Sequence, residues 1–372
     1  MLQYLTCGES HGKYLSAILE GLPSGLSIDT KFVDHELSRR QQGFGRGGRQ
    51  KIEHDEIKFI GGIYQAKTTG APIGFLLANQ DAKIDEMPQL FRPRPGHADL
   101  AGSLKYNEGI REILERASAR ETAMRVAIGS VCKLFLKEFG IEIVGHVVQI
   151  GKVIVNEEVT FEKIVKNRED SEVNCVSKSV EKLMIEEIKR AMAEKDTIGG
   201  TYEIRVRNVP IGLGSHVHYK RKLDGRIAQA LMSMQSVKAV GFGLGFHEAE
   251  TFGSEAHDEI FYDAKKGYYH KTNRAGGITG GMTNGAEIVV RATMKPISTL
   301  RRELQSVNMK TKQAEKADFE RSDVCAVPAG SVIGEAIVAF EIADAVIEKF
   351  GGDSMAEAKR NHKGYLDQLV KS

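Results

Sequence analysis

The sequence predicts a mixed fold, α/β of the α+β type, in which long helices are buried between layers. Residues 118–139 carry apolar side chains at three- and four-residue intervals, the spacing of a helix with one buried face. Residues 332–350 are apolar on more than one stripe, which favours a helix covered on both sides. β-prone runs lie before and between these helices, at 57–64, 73–78, 141–155, 201–209, 237–242 and 286–294.

The chain opens with a strand-like run and a tight loop, GESHG at 8–12. Two glycines there bracket an acid, a hydroxyl and the imidazole of His11, groups that can hold or transfer protons. The alternative is a polar turn with an inert histidine. A helix at about 32–39 follows and leads into the next motif.

An Arg- and Gly-rich segment at 39–49 contains Arg40, Arg46 and Arg49. Its four glycines exclude a stable helix, since each interior glycine costs about 1 kcal/mol relative to alanine. A loop that carries several guanidinium groups suits the capture of phosphate or carboxylate. The alternative is an RNA-binding segment, although that class usually has longer repeats.

The motif RPRPGHAD at 92–99 holds a histidine in a stiff setting. Two prolines and Gly96 restrict the backbone, so His97 would keep one position, as a catalytic acid requires. The alternative for Asp99 is that it merely caps the next element.

Four arginines, at 111, 116, 120 and 125, accompany the start of the first long helix. Ser118 and Glu121 match the Ser-x-x-Glu capping box, which predicts a helix with Ser118 as its N-cap. Free backbone amides and the positive dipole end, with Arg116 and Arg120 beside them, make an anion site. The alternative is a surface helix with pairs such as Glu121–Arg125.

The second half begins with a charged, irregular stretch at 156–178 and a helix at 180–194. Another helix is predicted at 223–234, directly before Gln235-Ser236. Residues 245–277 are polar and dotted with glycine, and we expect a long, partly mobile loop there.

A glycine-dense turn at 276–285 enters the strand at 286–294, and KPIST at 295–299 follows it. Backbone amides, hydroxyls and an ammonium at this place suit a phosphorylated ligand. The pattern is neither a Walker A loop nor a dinucleotide fingerprint, because the strand follows the glycines. RSD at 321–323 and a turn at 327–330 precede the last long helix.

Composition limits the function further. At 372 residues the chain is long enough for two domains or one large one. Its 52 basic and 50 acidic residues nearly balance, which argues against a general nucleic-acid or membrane-surface coat. The four cysteines are far apart, which favours reduced thiols over a disulfide frame or metal site. No targeting segment or membrane-length apolar run is visible, so we expect a soluble, cytoplasmic protein.

Six of these motifs, in this order, resemble those of the chorismate synthase family. They are GESHG at 8–12, the segment at 39–49, RPRPGHAD at 92–99, RASARETAMRVA at 116–127, KPIST at 295–299 and RSD at 321–323. One such motif alone is weak evidence, but six in the family's order are specific. Departures are Cys7 before the first motif, Thr283 where serine is usual and Met294 where phenylalanine is usual; none removes a titrating group.

The resemblance implies one domain over 1–372, a β-α-β sandwich whose long helices lie between two mainly antiparallel sheets, and a homotetramer. It implies the last step of the shikimate pathway, which makes chorismate from 5-enolpyruvylshikimate-3-phosphate. This carbon–oxygen lyase reaction is an anti-1,4-elimination of phosphate and the C6 pro-R hydrogen. Reduced FMN is required and is not consumed overall.

The resemblance also implies roles for individual residues. His11 is the acid toward the departing phosphate, His97 keeps the reduced flavin correctly protonated, and Asp323 acts as a base relay. The substrate anions are assigned to Arg40, Arg46, Arg49 and Arg120. FMN is assigned to Arg116, Ala117, Ser118, Gln235, Ser236, Gly280, Lys295, Pro296, Ile297, Ser298, Thr299 and Arg321, and no metal is expected.

Two other functions are compatible with single motifs. An FMN oxidoreductase would use the same cofactor with net redox change. An RNA-binding module would use the segment 39–49 with steep salt dependence, which the near-zero net charge disfavours. Without a dinucleotide fingerprint, we expect NADPH to act only as an indirect reductant, through an external flavin reductase.

Overall fold

A computed structural model describes residues 1–47, 54–264, 267–320 and 322–371 of the chain. Helices and antiparallel sheets are mixed along it, as the sequence predicts. The α-helices of the described residues are α1 (Thr30–Gln41), α2 (Asp99–Tyr106), α3 (Ile110–Ala117), α4 (Thr122–Lys137), α5 (Phe161–Asn167), α6 (Lys178–Ala193), α7 (Leu223–Met232), α8 (Gly253–Ala256), α9 (Val327–Phe350) and α10 (Met355–Val370).

The strands form two larger sheets and several hairpins. They are β1 (Gln3–Cys7), β2 (Tyr14–Glu20), β3 (Lys58–Gly61), β4 (Ile63–Tyr64), β5 (Lys67–Thr68), β6 (Ile73–Ala78), β7 (Glu142–Ile150), β8 (Val153–Ile154), β9 (Gly200–Arg207), β10 (Val237–Phe242), β11 (Ile260–Asp263), β12 (Gly267–His270), β13 (Ile278–Thr279), β14 (Met282–Thr283), β15 (Ile288–Met294), β16 (Gln305–Val307) and β17 (Ala314–Lys316). The first sheet has the order β1-β2-β6-β3 and the second the order β10-β15-β9-β7-β8. Neighbouring strands in both sheets are antiparallel.

Helices α4 and α9 form the centre of the core. A Cβ atom added to Gly129 of α4 would lie 2.4 Å from the Cα and Cβ atoms of Ala336 in α9. Helix α4 also packs against β2 and β6, whereas α9 packs against β7 and β9. At Gly334 of α9, an added Cβ atom would lie 2.5 Å from the ring of Tyr202 in β9. These glycines therefore let α9 approach both its neighbouring helix and the second sheet.

Helix α9 is buried around most of its circumference, which explains its broad apolar pattern. It begins at Val327 with Pro328 in the first turn, where the missing N–H would have no helical partner anyway. The prediction of a separate turn at 327–330 is therefore wrong, because these residues are the first turn of the helix. The helix ends before Gly351, whose φ of 58° is readily adopted by glycine.

A cluster of buried charges ties α1 and α4 to α9. The carboxylate of Glu335, fully buried, accepts two hydrogen bonds from Arg39, at 2.9 and 3.1 Å, and one from Arg168, at 2.8 Å. Lys133 bridges Glu335 and Glu36, at 2.5 Å from each. Burial alone would raise the pKa of the Glu335 carboxyl, but the three cations hold that pKa well below its usual range. The cluster fixes α1. It therefore also fixes the position of Arg40, the residue after Arg39.

Two stretches are more ordered than the sequence predicts. The stretch 156–178, predicted as irregular, contains α5, because the Thr160 hydroxyl caps its first turn and accepts a hydrogen bond from the Lys163 amide at 3.3 Å. Residues 245–277, predicted as one long loop, contain a 3₁₀ segment, α8 and the hairpin β11–β12.

The elements that the sequence did not predict include α2, α3, β2, the hairpin β16–β17 and the C-terminal helix α10. Strand β2 is the second strand of the first sheet, paired on both sides with β1 and β6. Helix α10 begins at Ser354, whose hydroxyl accepts from the Glu357 amide at 3.3 Å. Strand β2 and the hairpin depend on strand pairing that local sequence does not display, whereas α10 begins with a Ser-x-x-Glu pattern that the sequence does contain.

The structure also reports on thiols and membrane helices. All four cysteines are free, with Cys7 exposed and Cys132, Cys175 and Cys325 buried. Within the described ranges, no helix combines the length and the apolar character that a membrane span requires. The same residues contain no group of three or more metal-ligating side chains placed to share an ion.

Candidate active site

A cavity of about 500 Å³ opens where loops from both halves of the chain meet the start of α9. Its floor includes Ala326, Ala329 and Ile333. Among the described residues, the titratable side chains in its lining are His11, Arg40, Arg46, Asp81, Lys83, Arg94, His97, Arg120, Lys295, Glu320 and Asp323. Six of these are Lys or Arg and three are carboxylates, so the lining favours an anionic ligand.

Arg40 and Arg120 form the deepest cationic pair. Arg120 donates to Asp55 at 2.7 Å and to Asn79 at 2.9 Å. Arg40, at the end of α1, donates to the Thr122 hydroxyl at 3.1 Å and to Asp55 at 3.5 Å. Burial lowers the pKa of the Arg40 guanidinium to about 9, with Asp55 opposing the effect, so Arg40 stays charged at neutral pH. One carboxylate shared between two guanidinium groups leaves net positive charge for a ligand.

Arg46 and Asp323 meet on the wall of the cavity. Arg46 pairs with Asp323 at 3.1 Å, and the Gly47 amide donates to the same carboxylate at 2.6 Å. The Nε atom of Arg46 is buried and has no hydrogen-bond partner among the described residues. The segment reaches this position through Gly45, whose φ of 92° lies where other residues are strained. Arg46 and Gly47 of the Arg- and Gly-rich loop and Asp323 of the RSD motif therefore belong to one site.

His11 is held by a buried carboxylate. Its Nδ1 atom lies 3.0 and 3.1 Å from the two carboxylate oxygens of Glu115, and its backbone amide donates to Glu115 at 2.8 Å. Burial alone would raise the pKa of the Glu115 carboxyl, but hydrogen bonds from His11 and the nearby Arg111 lower it. On the other side of the ring, Nε2 lies 3.9 Å from Asp81. The imidazole is thus fixed with Nε2 toward the cavity.

His97 has a similar arrangement, built from its own motif. Its Nδ1 atom lies 2.5 Å from Asp99, and the Arg94 guanidinium donates to Asp99 at 2.7 and 2.9 Å. Arg94 also donates to the Thr299 hydroxyl at 2.8 Å, which joins this loop to the KPIST segment. Burial alone would raise the pKa of the Asp99 carboxyl, but His97 and Arg94 hold it well below its usual range. Asp99 makes no side-chain cap to α2, so the capping alternative is wrong.

Lys295 and Ser298 line the opposite wall. Both side chains donate to the carbonyl oxygen of Gly96, one residue before His97. Burial, with Lys238 nearby, lowers the pKa of the Lys295 ammonium. Ammonium and hydroxyl donors thus lie beside the His97 imidazole, as a bound phosphate or polar ring would require.

Gln235 and Ser236 connect α7 to β10 and also line the cavity. The Lys295 amide donates to the Ser236 carbonyl at 2.9 Å, so the two segments are fixed together. Ser236 has a φ of 70°, a conformation that costs energy for a residue with a Cβ atom. The side-chain oxygen of Gln235 is buried and without a hydrogen-bond partner among the described residues. That oxygen would gain a partner from a ligand with an N–H group.

The turn between α3 and α4 differs from its prediction. Ser118 caps a single 3₁₀ turn, its hydroxyl accepting from the Arg120 amide at 3.2 Å, and α4 begins only at Thr122. The Glu121 carboxylate does not return to Ser118; it pairs with Arg125 at 3.0 and 3.1 Å. Ser118 is therefore confirmed as the N-cap, of a 3₁₀ turn that runs directly into α4. The reciprocal contact from Glu121 that a capping box requires is wrong, while the Glu121–Arg125 pair is confirmed. The turn itself lines the cavity beside Ser10, to which the Ser118 hydroxyl donates at 3.1 Å.

Most of the predicted site residues meet in this one cavity. The lining contains His11, His97, Asp323, Arg40, Arg46, Arg120, Ala117, Ser118, Gln235, Ser236, Lys295, Ile297, Ser298 and Thr299. Arg49 and Arg321 lie outside the described residues. Arg116, Gly280 and Pro296 are described but are not in the lining. Arg116 instead donates to the carbonyl oxygens of Gly8 and Thr6, which ties α3 to the end of β1, and its role toward a cofactor stays a prediction.

The sequence did not single out several residues of the site. Asp55, Asn79 and Glu115 orient the predicted side chains from beneath, and Asp81 and Lys83 line the rim. None stands in a motif that carries chemistry by itself. Arg94 and Asp99 could have been found, because they lie three and two residues from His97 in the same motif.

Comparisons with known proteins agree with one another. A family model described as chorismate synthase matches residues 2–347. The chorismate synthase of Alkaliphilus metalliredigens is 49% identical over 377 residues, which cover 98% of this chain and 99% of that protein. That of Desulforamulus reducens is 50% identical over 375 residues, covering 96% and 97%.

A solved structure is similar over the whole chain. It is described as the crystal structure of chorismate synthase, and it matches with a TM-score of 0.84 and 41% sequence identity. The match covers 100% of this chain and 99% of that one. Together with the relatives, it confirms the resemblance carried by the six motifs. The chain therefore belongs to the chorismate synthase family, lyases that catalyse the last step of the shikimate pathway.

Proposed function

We propose that this protein converts 5-enolpyruvylshikimate-3-phosphate to chorismate by an anti-1,4-elimination that requires reduced FMN. The C3–O bond to phosphate breaks, the C6 pro-R hydrogen leaves, and the electron pair of the C6–H bond completes the new diene. Carbon undergoes no net oxidation. The observation that carries the proposal is that His11 and His97 line one cavity with Arg40, Arg46, Arg120 and Lys295.

The cationic lining suits this substrate, which carries a phosphate and two carboxylates. We assign Arg40, Arg46 and Arg120, with Arg49, to those anions. Guanidinium groups are suited to bidentate pairing with phosphate and carboxylate. The buried, unpartnered Nε of Arg46 supports the assignment, because such a donor costs free energy until it is paired.

The other wall fits FMN. The Lys295 ammonium and the hydroxyls of Ser298 and Thr299 are donors of the kind a flavin phosphate or ring carbonyl accepts. The unpartnered oxygen of Gln235 would accept from a ring N–H, and it supports a ligand with both donors and acceptors. When bound, reduced FMN would supply electron density to the substrate carbon that loses phosphate.

The titrating side chains then have separate tasks. We infer that His11 gives a proton from Nε2 to the departing phosphate. His97 would keep the reduced flavin correctly protonated, and Asp99 holds the imidazole through its Nδ1 atom. Asp323 serves as the base relay for the C6 hydrogen, and Arg46 holds its carboxylate in place. Imidazole is the side chain that proteins use most often as a general acid or base, which suits both histidines to these tasks.

We further propose one domain over residues 1–372, with its long helices between the two sheets, and a homotetramer in the cytoplasm. The packing of α4 on the first sheet and of α9 on the second supports the sandwich. Because the sequence has no dinucleotide fingerprint, we propose that an external flavin reductase supplies reduced FMN, with NADPH only as the indirect reductant.

An anaerobic assay tests the reaction. Purified protein receives stoichiometric reduced FMN and excess substrate, and chorismate, phosphate and flavin absorbance are followed together. Many turnovers per flavin, with equal yields of chorismate and phosphate and no flavin oxidation, are expected. Oxidation of one flavin for each product would indicate an oxidoreductase and refute the proposal.

The acid assignments need their own variants. His11→Ala and His97→Ala are each expected to lower turnover about 10²–10⁴-fold, as loss of one general acid commonly does. FMN affinity is measured separately by fluorescence quenching, so that lost binding is not mistaken for lost chemistry. His35→Ala, an exposed histidine in α1, is the matched control. Near wild-type turnover in both variants would contradict the assignments.

A further inference from the structure

Glu115 makes an unusual set of contacts to a single residue. Its carboxylate accepts from both the backbone amide and the ring of His11, and the side chain is only 1% exposed. The Glu115 carbonyl also accepts from the Ser10 amide at 3.0 Å. A carboxylate with so little access to water has few other ways to be solvated than by these donors and by Arg111, 3.7 Å away.

We propose that Glu115 is a positioning residue for His11, which fixes a proton on Nδ1 and favours the imidazolium form, so that Nε2 can deliver its proton into the cavity. This inference rests on the proposed role of His11 as the acid toward phosphate. The hydrogen bond that one ring nitrogen makes determines which atom carries the exchangeable proton. A carboxylate on the far nitrogen plays the same role in serine proteases.

Two further charged side chains lie on the cavity side of the His11 ring, at 81 and 83. Asp81 lies 3.9 Å from Nε2, and Lys83 pairs with Asp81 at 2.7 Å. Lys83 partly neutralises Asp81, which is also more exposed to solvent than Glu115. Asp81 stands on the cavity side, where an incoming phosphate would compete for Nε2. Glu115 lies behind the ring and is shielded from water. It is thus the carboxylate that stays paired with His11 when substrate binds.

A purely structural role for Glu115 is the competing explanation. The residue holds the backbone at 10–11, and a glutamine at this position could still accept from the His11 amide. The test must therefore report on the imidazole itself and not only on activity or folding. Glu115→Gln removes the charge at nearly constant shape, whereas Glu115→Asp keeps the charge on a shorter side chain.

The experiment titrates His11 by NMR in protein with ¹³Cε1-labelled histidine, the resonance being assigned by its loss in His11→Gln. Glu115→Gln is expected to lower the titration midpoint of this imidazole by about one pH unit, because an opposite charge at this distance commonly contributes 1–3 units. Glu115→Asp should restore part of the shift. Glu112→Gln, exposed and one turn earlier on α3, is the control and should match wild type.

The pH dependence of kcat provides the second readout. An acid must be protonated, so activity is present below its midpoint and is lost as the pH rises through it. The loss should therefore begin about one pH unit lower in Glu115→Gln, with a smaller change in KM than in kcat. An unmoved His11 titration in a folded Glu115→Gln would overturn the inference. A moved titration with an unmoved kcat profile would support the positioning and instead overturn the acid role of His11.

Discussion

Replacing the buried glutamate of α9, Glu335→Gln, should destabilise the protein by several kcal/mol. In the native chain its carboxylate accepts from Arg39 twice, and from Lys133 and Arg168. Glutamine has one acceptor oxygen, and its amide group would face the remaining cations. The buried Glu36 and the half-exposed Glu169 would then remain to neutralise these cations.

The magnitude follows from removing one partner of a buried ion network, which typically costs about 3–5 kcal/mol. No cavity contributes, because glutamine and glutamate have nearly the same shape. Glu348→Gln, on the same helix and pairing with Arg226 at 3.1 Å, is the control. That carboxylate is 39% exposed, so its loss should cost about 1 kcal/mol or less.

Urea unfolding followed by far-UV circular dichroism, at pH 7 and at lower pH, provides the test. The pKa of Glu335 is lower in the folded protein than in the unfolded chain. Its contribution to the free energy of unfolding is therefore complete above the unfolded carboxyl pKa of about 4.3, and it is lost as the pH falls through the lower folded value. The difference in the free energy of unfolding between wild type and Glu335→Gln should therefore become smaller at acidic pH. A loss below 1 kcal/mol at pH 7, or a gap independent of pH, would refute this account of the cluster.

Three further outcomes are expected. Asp99→Asn should lower turnover about 10²–10⁴-fold with FMN affinity retained, because His97 loses its charged partner; unchanged kcat would contradict this. Gly129→Ala should destabilise the protein by about 1–3 kcal/mol in urea unfolding, because the added methyl group would collide with α9. Gly364→Ala in α10 is the control: its methyl group would meet nothing within 4 Å, and it should stabilise the protein by up to about 1 kcal/mol. Lys295→Gln should weaken FMN binding by roughly tenfold or more in a fluorescence titration, and Lys363→Gln, an exposed lysine in α10, should not; equal affinities would remove Lys295 from the cofactor site.

Sequence patterns predicted those parts of the fold whose signal is local. The strands at 73–78 and 237–242 have the bounds that alternation and flanking residues indicate. Strand β2 was missed because its order comes from pairing with β1 and β6, which sequence alone does not reveal. Helix α9 was predicted too short, since a proline in a first turn resembles a proline in a loop.

The same distinction applies to the site. Asp99 could be associated with His97 because it lies two residues away. Glu115 could not be associated with His11, from which 104 residues separate it, because a lone glutamate in an amphipathic helix resembles any surface carboxylate. Motifs therefore indicated the side chains that face a ligand, and the groups that orient them from behind appeared only in three dimensions.

Helix α9 forms the base of the cavity, and its packing limits which substitutions this part of the site can accept. Ala329 and Ile333 touch the ligand space, while Gly330 and Gly334, on the same two turns, abut Met294 and Tyr202 with no room for a methyl group. The base of the binding site is thus as incompressible as the protein interior. A larger residue at Gly330 or Gly334 would shift α9 relative to the second sheet and so move this base. Resistance to an inhibitor bound there is therefore expected first in the loops above it.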